Sequence, residues 1–528
     1  MGARFRGDDE FPLTFTKESL AMSTGNLTAF LKDCERALGA ENVALVEETI
    51  KRYGEHTLPA ADRRPGAVVY PGSTAEVQAV VRAANAHKVP IFPVSTGNNM
   101  GLGTRAPVAP GQVVVDLGKR MNRILEIDEV LGFAAVEPGV SFQMMADELV
   151  RRGGRYVIST TSGPPQGGML GNALDKGAGY GPMFDHFGFS CGMEIVLGNG
   201  DVIRTGDGAI DHPNAPNWHV SKYSFGPILD GLFAQSNYGI VTRLGIWLMP
   251  KPPAVRSFHF AFPDDDDLEQ IIDLCRPLKL ANFVPTLLRV ANDLYLIGNE
   301  DVYPDYAKTG GKASISDAQR KALQQKHGVG AWTVSGAFYG PSMEAMEPQI
   351  ARVKQVFLQS GKAKYIPQED ALGNPPLKTA IDSFSGIPTH GELGLLKWRP
   401  GGGNSWCPPG TPMVGKIAQK FHKVARAIYE RNGLDYTIMN VCGGRFARGL
   451  HVISFNRESE DERRRADLVY KQLADAFAAE GVSVGRAPTD YYEYHMAKLT
   501  PAFRNACNAI KKALDPNGII APGKYGIG

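Results

Sequence analysis

The chain has 528 residues, 43% of them hydrophobic, and a formal net charge of +2. That length predicts two domains or one large composite domain with an ample core. The near-neutral balance gives no reason to expect nucleic acid or an anionic membrane surface as a partner.

Six cysteines (Cys34, Cys191, Cys275, Cys407, Cys442, Cys507) stand apart with no C-x-x-C pair, which argues against structural zinc, redox dithiols and a disulfide framework. No H-x-x-x-H or H-E-x-x-H occurs among the eleven histidines, so no metal is expected. No stretch reaches membrane-spanning length. The start of the chain, Met1-Gly-Ala-Arg-Phe-Arg-Gly-Asp-Asp-Glu10, lacks an apolar signal core, and Gly2 lacks the downstream Ser or Thr of a myristoylation site. A cytoplasmic protein is the expectation, with the periplasm as the alternative.

In chain order, residues 1–25 read as a polar N-terminal arm and 26–60 as helical. From 66 to 255 short strands and helices alternate. Thr74–Ala86 puts Val77, Val80, Val81 and Ala84 on one helical face, with Ser73 or Thr74 as cap. Strands are predicted at Val89–Val94, 113–117 and 133–137, and a second amphipathic helix at Ser141–Arg152. Leu248-Met-Pro-Lys-Pro-Pro253 interrupts any helix or central strand and reads as a linker. Beyond it two similar series follow. The first is Ser257–Phe262, Leu268–Leu278, Ala331–Tyr339 and Met343–Ser360. The second is Glu392–Trp398, Met413–Asn432, Tyr436–Val441, His451–Phe455 and Glu462–Glu480. An antiparallel sheet covered by helices, built from two related halves, is the expected α+β cap over 254–495. Residues 496–528 return to the first domain, 26–253. Asp264–Asp267 precede an apolar helix and complement its dipole; Glu458–Arg465 reads as a solvated helix face.

The loop Ser95-Thr-Gly-Asn-Asn-Met-Gly-Leu-Gly103 lies between two buried strands. Its glycines let the backbone turn tightly and bring N–H groups close to an anion. Three further glycine-bearing stretches follow: Val136-Glu-Pro-Gly-Val140, Gly167–His186 and Asn237–Thr242. Each alone is an ordinary turn signal; their joint order is specific. Gly481-Val-Ser-Val-Gly485 fits G-x-S-x-G, yet the helix precedes it and a strand is predicted through it, the reverse of a nucleophile elbow. No phosphate-binding G-x-x-x-x-G-K-[ST] and no dinucleotide fingerprint is present, so NAD(P) is not expected.

With the loop, Cys191-Gly-Met-Glu-Ile-Val-Leu-Gly-Asn-Gly-Asp201, Ile246–Pro253 and Ala521-Pro-Gly-Lys524 in the same order, the chain resembles the vanillyl-alcohol oxidase and p-cresol methylhydroxylase flavoprotein family from about residue 40 to its end. The resemblance implies a two-part FAD-binding domain with an antiparallel-sheet cap over the flavin, and hydride removal from a carbon para to a phenol hydroxyl. It places Ser95, Thr96, Gly97, Asn98, Asn99, Met100, Gly101, Leu102 and Gly103 at the pyrophosphate. Glu137, Pro138, Gly139, Gly171, Asn172, Tyr180, His186, Ile240 and Val241 would line the rest of the cofactor. Arg486 falls on the family's phenolate arginine, Glu392 on an active-site glutamate, and Lys524 at the pyrimidine edge, where a cation suits negative charge on the reduced ring.

The departures from the family pattern are specific. Two tyrosines that activate the phenol become Leu102 and Gly485, and the covalent-attachment positions become Leu396 and Asn404. Dissociable FAD and a larger, less polar pocket at the phenol end follow as expectations. Tyr491, Tyr492 and Tyr494 are candidates to replace the lost hydroxyls, with aromatic packing as their other reading. The base is Glu392, His451 or the substrate's own phenolate; His451 on a cap strand has an ordinary structural reading beside it.

The expected reaction is FAD-dependent hydride removal from a benzylic or allylic carbon of an aromatic substrate, with electrons passed to O2 or a c-type cytochrome. The alternatives are a bulky non-phenolic alcohol, lignin-type dimer or hydroxy acid as substrate, or a flavin-binding subunit without turnover. A homodimer associated through the cap is the expected assembly.

Overall fold

The computed structural model describes residues 24–161, 163–212 and 214–528; the arm expected over residues 1–25 lies outside them but for its last two residues. Helices at Thr24–Leu38 and Glu47–Gly54 lead into a four-stranded sheet. Three of its strands are parallel, with Val113–Asp116 between Val68–Val69 and Ile91–Val94. The Thr74–His87 helix makes the crossover and buries Val77, Val80, Val81 and Ala84 against this sheet, the face that its spacing predicts. Ser73 Oγ accepts the Glu76 N–H at 3.2 Å and caps it.

A second, antiparallel sheet runs in the order Ile124–Asp128, Phe133–Val136, Gly239–Trp247, Ser190–Leu197, Val202–Arg204. The Phe142–Arg151 helix packs Phe142, Met145 and Leu149 beneath it. The chain's end returns to this half. Ile91 donates to Ile519 O (2.8 Å), and Asn237 Nδ2 donates to both Ala521 O and Ile527 O (2.9 Å each).

Residues 254–455 form an eight-stranded antiparallel sheet. Leu288–Asn292 and Thr437–Cys442 pair at its middle, joining the two predicted halves. Helices Leu268–Leu280, Glu347–Leu358, Gly415–Arg431 and Glu460–Ala479 cover one face and hold the largest apolar cluster. The other face turns toward the first half of the chain.

Two expectations fail locally. Glu392–Trp398 is not a strand but a 3-10 helix, Gly391–Lys397. Glu392, Leu395 and Trp398 are buried, a period of three that matches the 3-10 turn and not a strand's alternation. The neighbouring strand is Gly403–Cys407 instead. Through Gly481–Gly485 there is only an isolated bridge between Val484 and Pro409.

Burial sets an acid limit on this fold. It pushes the His259 and His451 imidazoles down to about 3, and those of His56 and His219 to about 4. All four are buried. Between about pH 4 and 6.5 the unfolded chain therefore binds more protons than the folded one, so stability falls as pH drops through that window, by up to about 1.4 kcal/mol per pH unit for each fully shifted group. A thermal-unfolding series from pH 7 to 4 should show a steep, continuous fall in Tm; a flat profile would refute this account of the buried histidines.

Candidate active site

Strand parity in the cap decides which side chains meet the first half. On Phe446–Phe455, Arg448 and Leu450 face inward, whereas Ala447 and Ile453 join the helix-side cluster. On Gly403–Cys407, Asn404 and Trp406 face inward and Cys407 faces the helices. Between this face and the glycine-bearing loops lies a cavity of about 880 Å³, within the range of small-molecule and cofactor sites.

The 95–103 loop forms one wall. Among the described residues, the backbone N–H groups of Thr96, Gly97, Asn98, Asn99 and Met100 donate to no protein acceptor. Five consecutive free donors beside a cavity suit an anionic diphosphate. Gly171 supports the same wall, since a Cβ there would stand 2.3 Å from Ser95 Oγ. Ser95, Leu102, Gly103, Asn172, Tyr180, Ile240 and Val241 also line the cavity.

Other expected contacts lie behind the wall. Gly101 packs under the cap: it accepts the Trp406 N–H at 3.2 Å and donates to Thr57 Oγ1 at 2.8 Å. Glu137 is buried in a bidentate pair with Arg123. Gly139 donates to Met121 O at 2.7 Å, and a Cβ there would meet the Gly118 backbone. Glu137, Pro138 and Gly139 thus shape the strand turn and do not line the cavity. His186 also sits outside it; its Nδ1 is 2.6 Å from Asn172 Oδ1 and its Nε2 is 3.2 Å from Ser159 Oγ. It orients an amide that does line the site. Burial lowers its pKa to about 4, so the imidazole is neutral at pH 7.

At the far end Arg486 reaches the cavity with its Nε 3.0 Å from Asp175 Oδ2, and Tyr525 donates to Asp175 Oδ1 at 2.9 Å. A run of left-handed turn residues (Ala521, Gly523, Tyr525) swings Lys524 into the cavity beside Phe92, where burial lowers its pKa. Glu392 is on the wall too. Its Oε1 pairs with Arg289 and its Oε2 accepts from Tyr295 at 2.9 Å. The Arg289 guanidinium stacks on Tyr180, 4.5 Å from the ring centre.

His451 is a correction. It faces the helix layer against Tyr436 and Phe477, off the cavity, so it has no route to a bound ligand. Gly485 likewise does not line the cavity; a Cβ on it would touch the Arg448 guanidinium at 3.4 Å. Tyr491 stacks on Tyr470 and donates to Asp467, and Tyr494 donates to Asp475, so neither supplies a hydroxyl here. Tyr492 does line the site, beside Tyr525. Sequence reasoning missed Asp175, Arg289, Tyr295, Arg448 and Tyr525. Parity was the available signal for two of them: Arg289 and Arg448 are charged residues on the inward register of apolar strands.

Comparison with known proteins matches this arrangement. A family model described as an FAD binding domain matches residues 65–206. The chain is 36% identical over 509 residues to the 4-cresol dehydrogenase [hydroxylating] flavoprotein subunit of Pseudomonas putida, covering 96% of each. The chain belongs to the vanillyl-alcohol oxidase and p-cresol methylhydroxylase flavoprotein family. Its fold is that family's, an FAD-binding unit under an antiparallel-sheet cap. The structure of p-cresol methylhydroxylase with substrate bound superimposes with a TM-score of 0.92 at 36% identity, over 96% of this chain and 98% of that one. A 4-ethylphenol oxidase from Gulosibacter chungangensis in its isoeugenol complex gives 0.92 at 29% identity, with the same coverage. The protein is an FAD-dependent oxidoreductase. Among the described residues no helix is long and apolar enough to cross a membrane, and no cluster of three His, Cys, Asp or Glu side chains is placed to hold a metal.

Proposed function

We propose that this family member oxidises a 4-alkylphenol or related aromatic alcohol at its benzylic or allylic carbon, and that its FAD is held without a covalent bond. The observation that carries the reading is Arg486, a guanidinium on the cavity wall whose Nε is bound by Asp175, opposite a wall suited to FAD. Relatives named for 4-cresol and 4-ethylphenol support the substrate class.

FAD, when bound, supplies the two-electron acceptor. The 95–103 loop would hold its diphosphate and Lys524 its anionic reduced form. Asp175 fixes Arg486 so that its remaining donors point at a phenolic oxygen. Leu102, Leu396, Trp406 and Leu450 exclude water from the ring between them. The phenol proton leaves toward Glu392 or solvent. The phenolate then supplies the electron push for loss of hydride from the benzylic carbon, and the resulting quinone methide takes up water or loses a proton. Electrons pass onward to O2 or a c-type cytochrome, and the active assembly is a homodimer.

Leu102 and Gly485 motivate a second reading. Without two tyrosine hydroxyls the same cavity would accept a bulky non-phenolic alcohol, a lignin-type dimer or a hydroxy acid. Anaerobic titration of the yellow protein with 4-alkylphenols, non-phenolic alcohols and hydroxy acids separates the two. Bleaching by alkylphenols is expected; bleaching by hydroxy acids alone overturns the phenol reading.

Non-covalent attachment rests on Leu396 and Asn404, which stand at the positions that the resemblance gives for attachment and offer no nucleophile. Acid precipitation should leave the flavin in the supernatant. Colour retained in the washed pellet would contradict this.

A further inference from the structure

We propose that Arg448, beside Arg486, selects substrates that carry a carboxylate next to the phenol hydroxyl: a 4-alkylphenol with an ortho carboxylate. The inference rests on the phenol reading above.

Three observations carry it. First, Arg448 is in no ion pair, although the Asp185 carboxylate also lines the cavity. Glu392 is consumed by Arg289 and Tyr295, and Asp175 by Arg486 and Tyr525. Arg448 has no carboxylate within ion-pair distance among the described residues; its contact is Lys176 O, 3.4 Å from Nη1. A half-buried guanidinium without an anion is a costly arrangement unless a ligand completes it. Burial and the Arg486 charge push its pKa down, against the smaller opposing pull of the Asp185 and Asp175 carboxylates, neither of which pairs with it.

Second, Gly485 makes room. A Cβ at 485 would lie 3.4 Å from Arg448 Nη2 and 3.5 Å from its Cζ, so this guanidinium occupies the space into which a side chain at 485 would project. With glycine at 485 a planar cation stands beside Arg486.

Third, the location fixes where the anion sits on the ligand. Arg448 lies against the residue that precedes Arg486, and both line the cavity. An anionic group meeting Arg448 therefore belongs at the phenol end of the ring and not on the alkyl arm, which must face the flavin to react. A carboxylate fits a guanidinium bidentately.

The test is calorimetric binding to the FAD-loaded protein of 5-ethyl-2-hydroxybenzoate, its methyl ester, 4-ethylphenol, and 3-(4-hydroxyphenyl)propionate with its methyl ester. The ring acid should bind about 10- to 100-fold more tightly than its ester, as expected for charge-assisted hydrogen bonds in a partly desolvated site. Arg448→Ala should bring that ratio near one, and Arg448→Lys, which keeps the charge, should retain part of it. Thermal midpoints of both variants report whether they are folded. If the wild-type protein binds acid and ester alike, if Arg448→Lys behaves as Arg448→Ala, or if the preference falls on the arm carboxylate instead, the proposal is wrong. Binding of 4-ethylphenol with no acid preference overturns this inference alone; binding of none of the phenols overturns the phenol reading with it.

Discussion

Glu392→Ala should destabilise the protein by about 3–5 kcal/mol, because it leaves a buried guanidinium without its counter-charge. The pair is almost wholly removed from water: the Arg289 and Glu392 side chains are 3% and 2% exposed. Arg289 Nη1 already lacks a partner, and the Tyr295 hydroxyl would lose its acceptor at the same time. Burial and the Glu392 charge hold the Tyr295 pKa well above its ordinary value, so it remains a donor in search of an acceptor. The damage should reach the cavity, since Arg289 stacks on Tyr180 in the wall. Chemical denaturation and Tm measure the loss. A double change, Arg289→Met with Glu392→Leu, separates structure from chemistry. Replacing a buried ion pair with apolar groups of similar volume is often neutral or better, so stability should return except for about 1–3 kcal/mol from the unpaired Tyr295 hydroxyl. If Glu392 takes the phenol proton, flavin reduction by substrate should stay slow in the refolded double variant. Wild-type reduction rates there would confine Glu392 to a positioning role.

The second large effect is Gly101→Ala. Gly101 has φ +73°, and an added Cβ would stand 2.0 Å from Trp406 Cδ1 and 2.2 Å from Asn404 Oδ1. Both belong to the cap strand Gly403–Cys407, which is tied to the same loop through Thr57 O and Asn404 N (2.8 Å). Left-handed strain and the forced retreat of the strand together should cost about 2–4 kcal/mol. FAD content should fall with it, because the loop that carries the free N–H groups must move. Gly111→Ala is the control. Gly111 has φ +86°, with nothing within 4 Å of its added Cβ, so it carries the strain alone and should cost about 1 kcal/mol with FAD retained. Equal losses in the two variants would show that the contact with the cap is not what Gly101 serves.

These two sites mark how far the sequence could be read. The helix at Thr74–His87, the strand Val113–Asp116 and the helix Phe142–Arg151 were legible because each has one buried face and a strong period. The tight turn at 95–103 was legible because glycine spacing between apolar strands is a backbone signal, independent of what packs on it later. The charged network was not. Arg289 and Glu392 are 103 positions apart, and nothing local pairs them. Asp175 reads as one helix-end acid among many until Arg486 and Tyr525, more than 300 residues on, converge on it. His451 failed for a different reason: a strand residue's face is fixed by parity, and parity can be judged only once a neighbour of known direction, here Arg448 or Leu450, is placed. The Glu392–Trp398 segment failed because a run of apolar residues can satisfy either a strand or a 3-10 turn, and burial chose the latter.

The most direct test of the account is a crystal structure of the FAD-loaded protein with 4-ethylphenol bound. The ligand oxygen should lie within hydrogen-bond reach of the Arg486 guanidinium, with the benzylic carbon facing the flavin ring beneath the cap. A phenol seated away from Arg486, or turned with its alkyl carbon away from the ring, would contradict it.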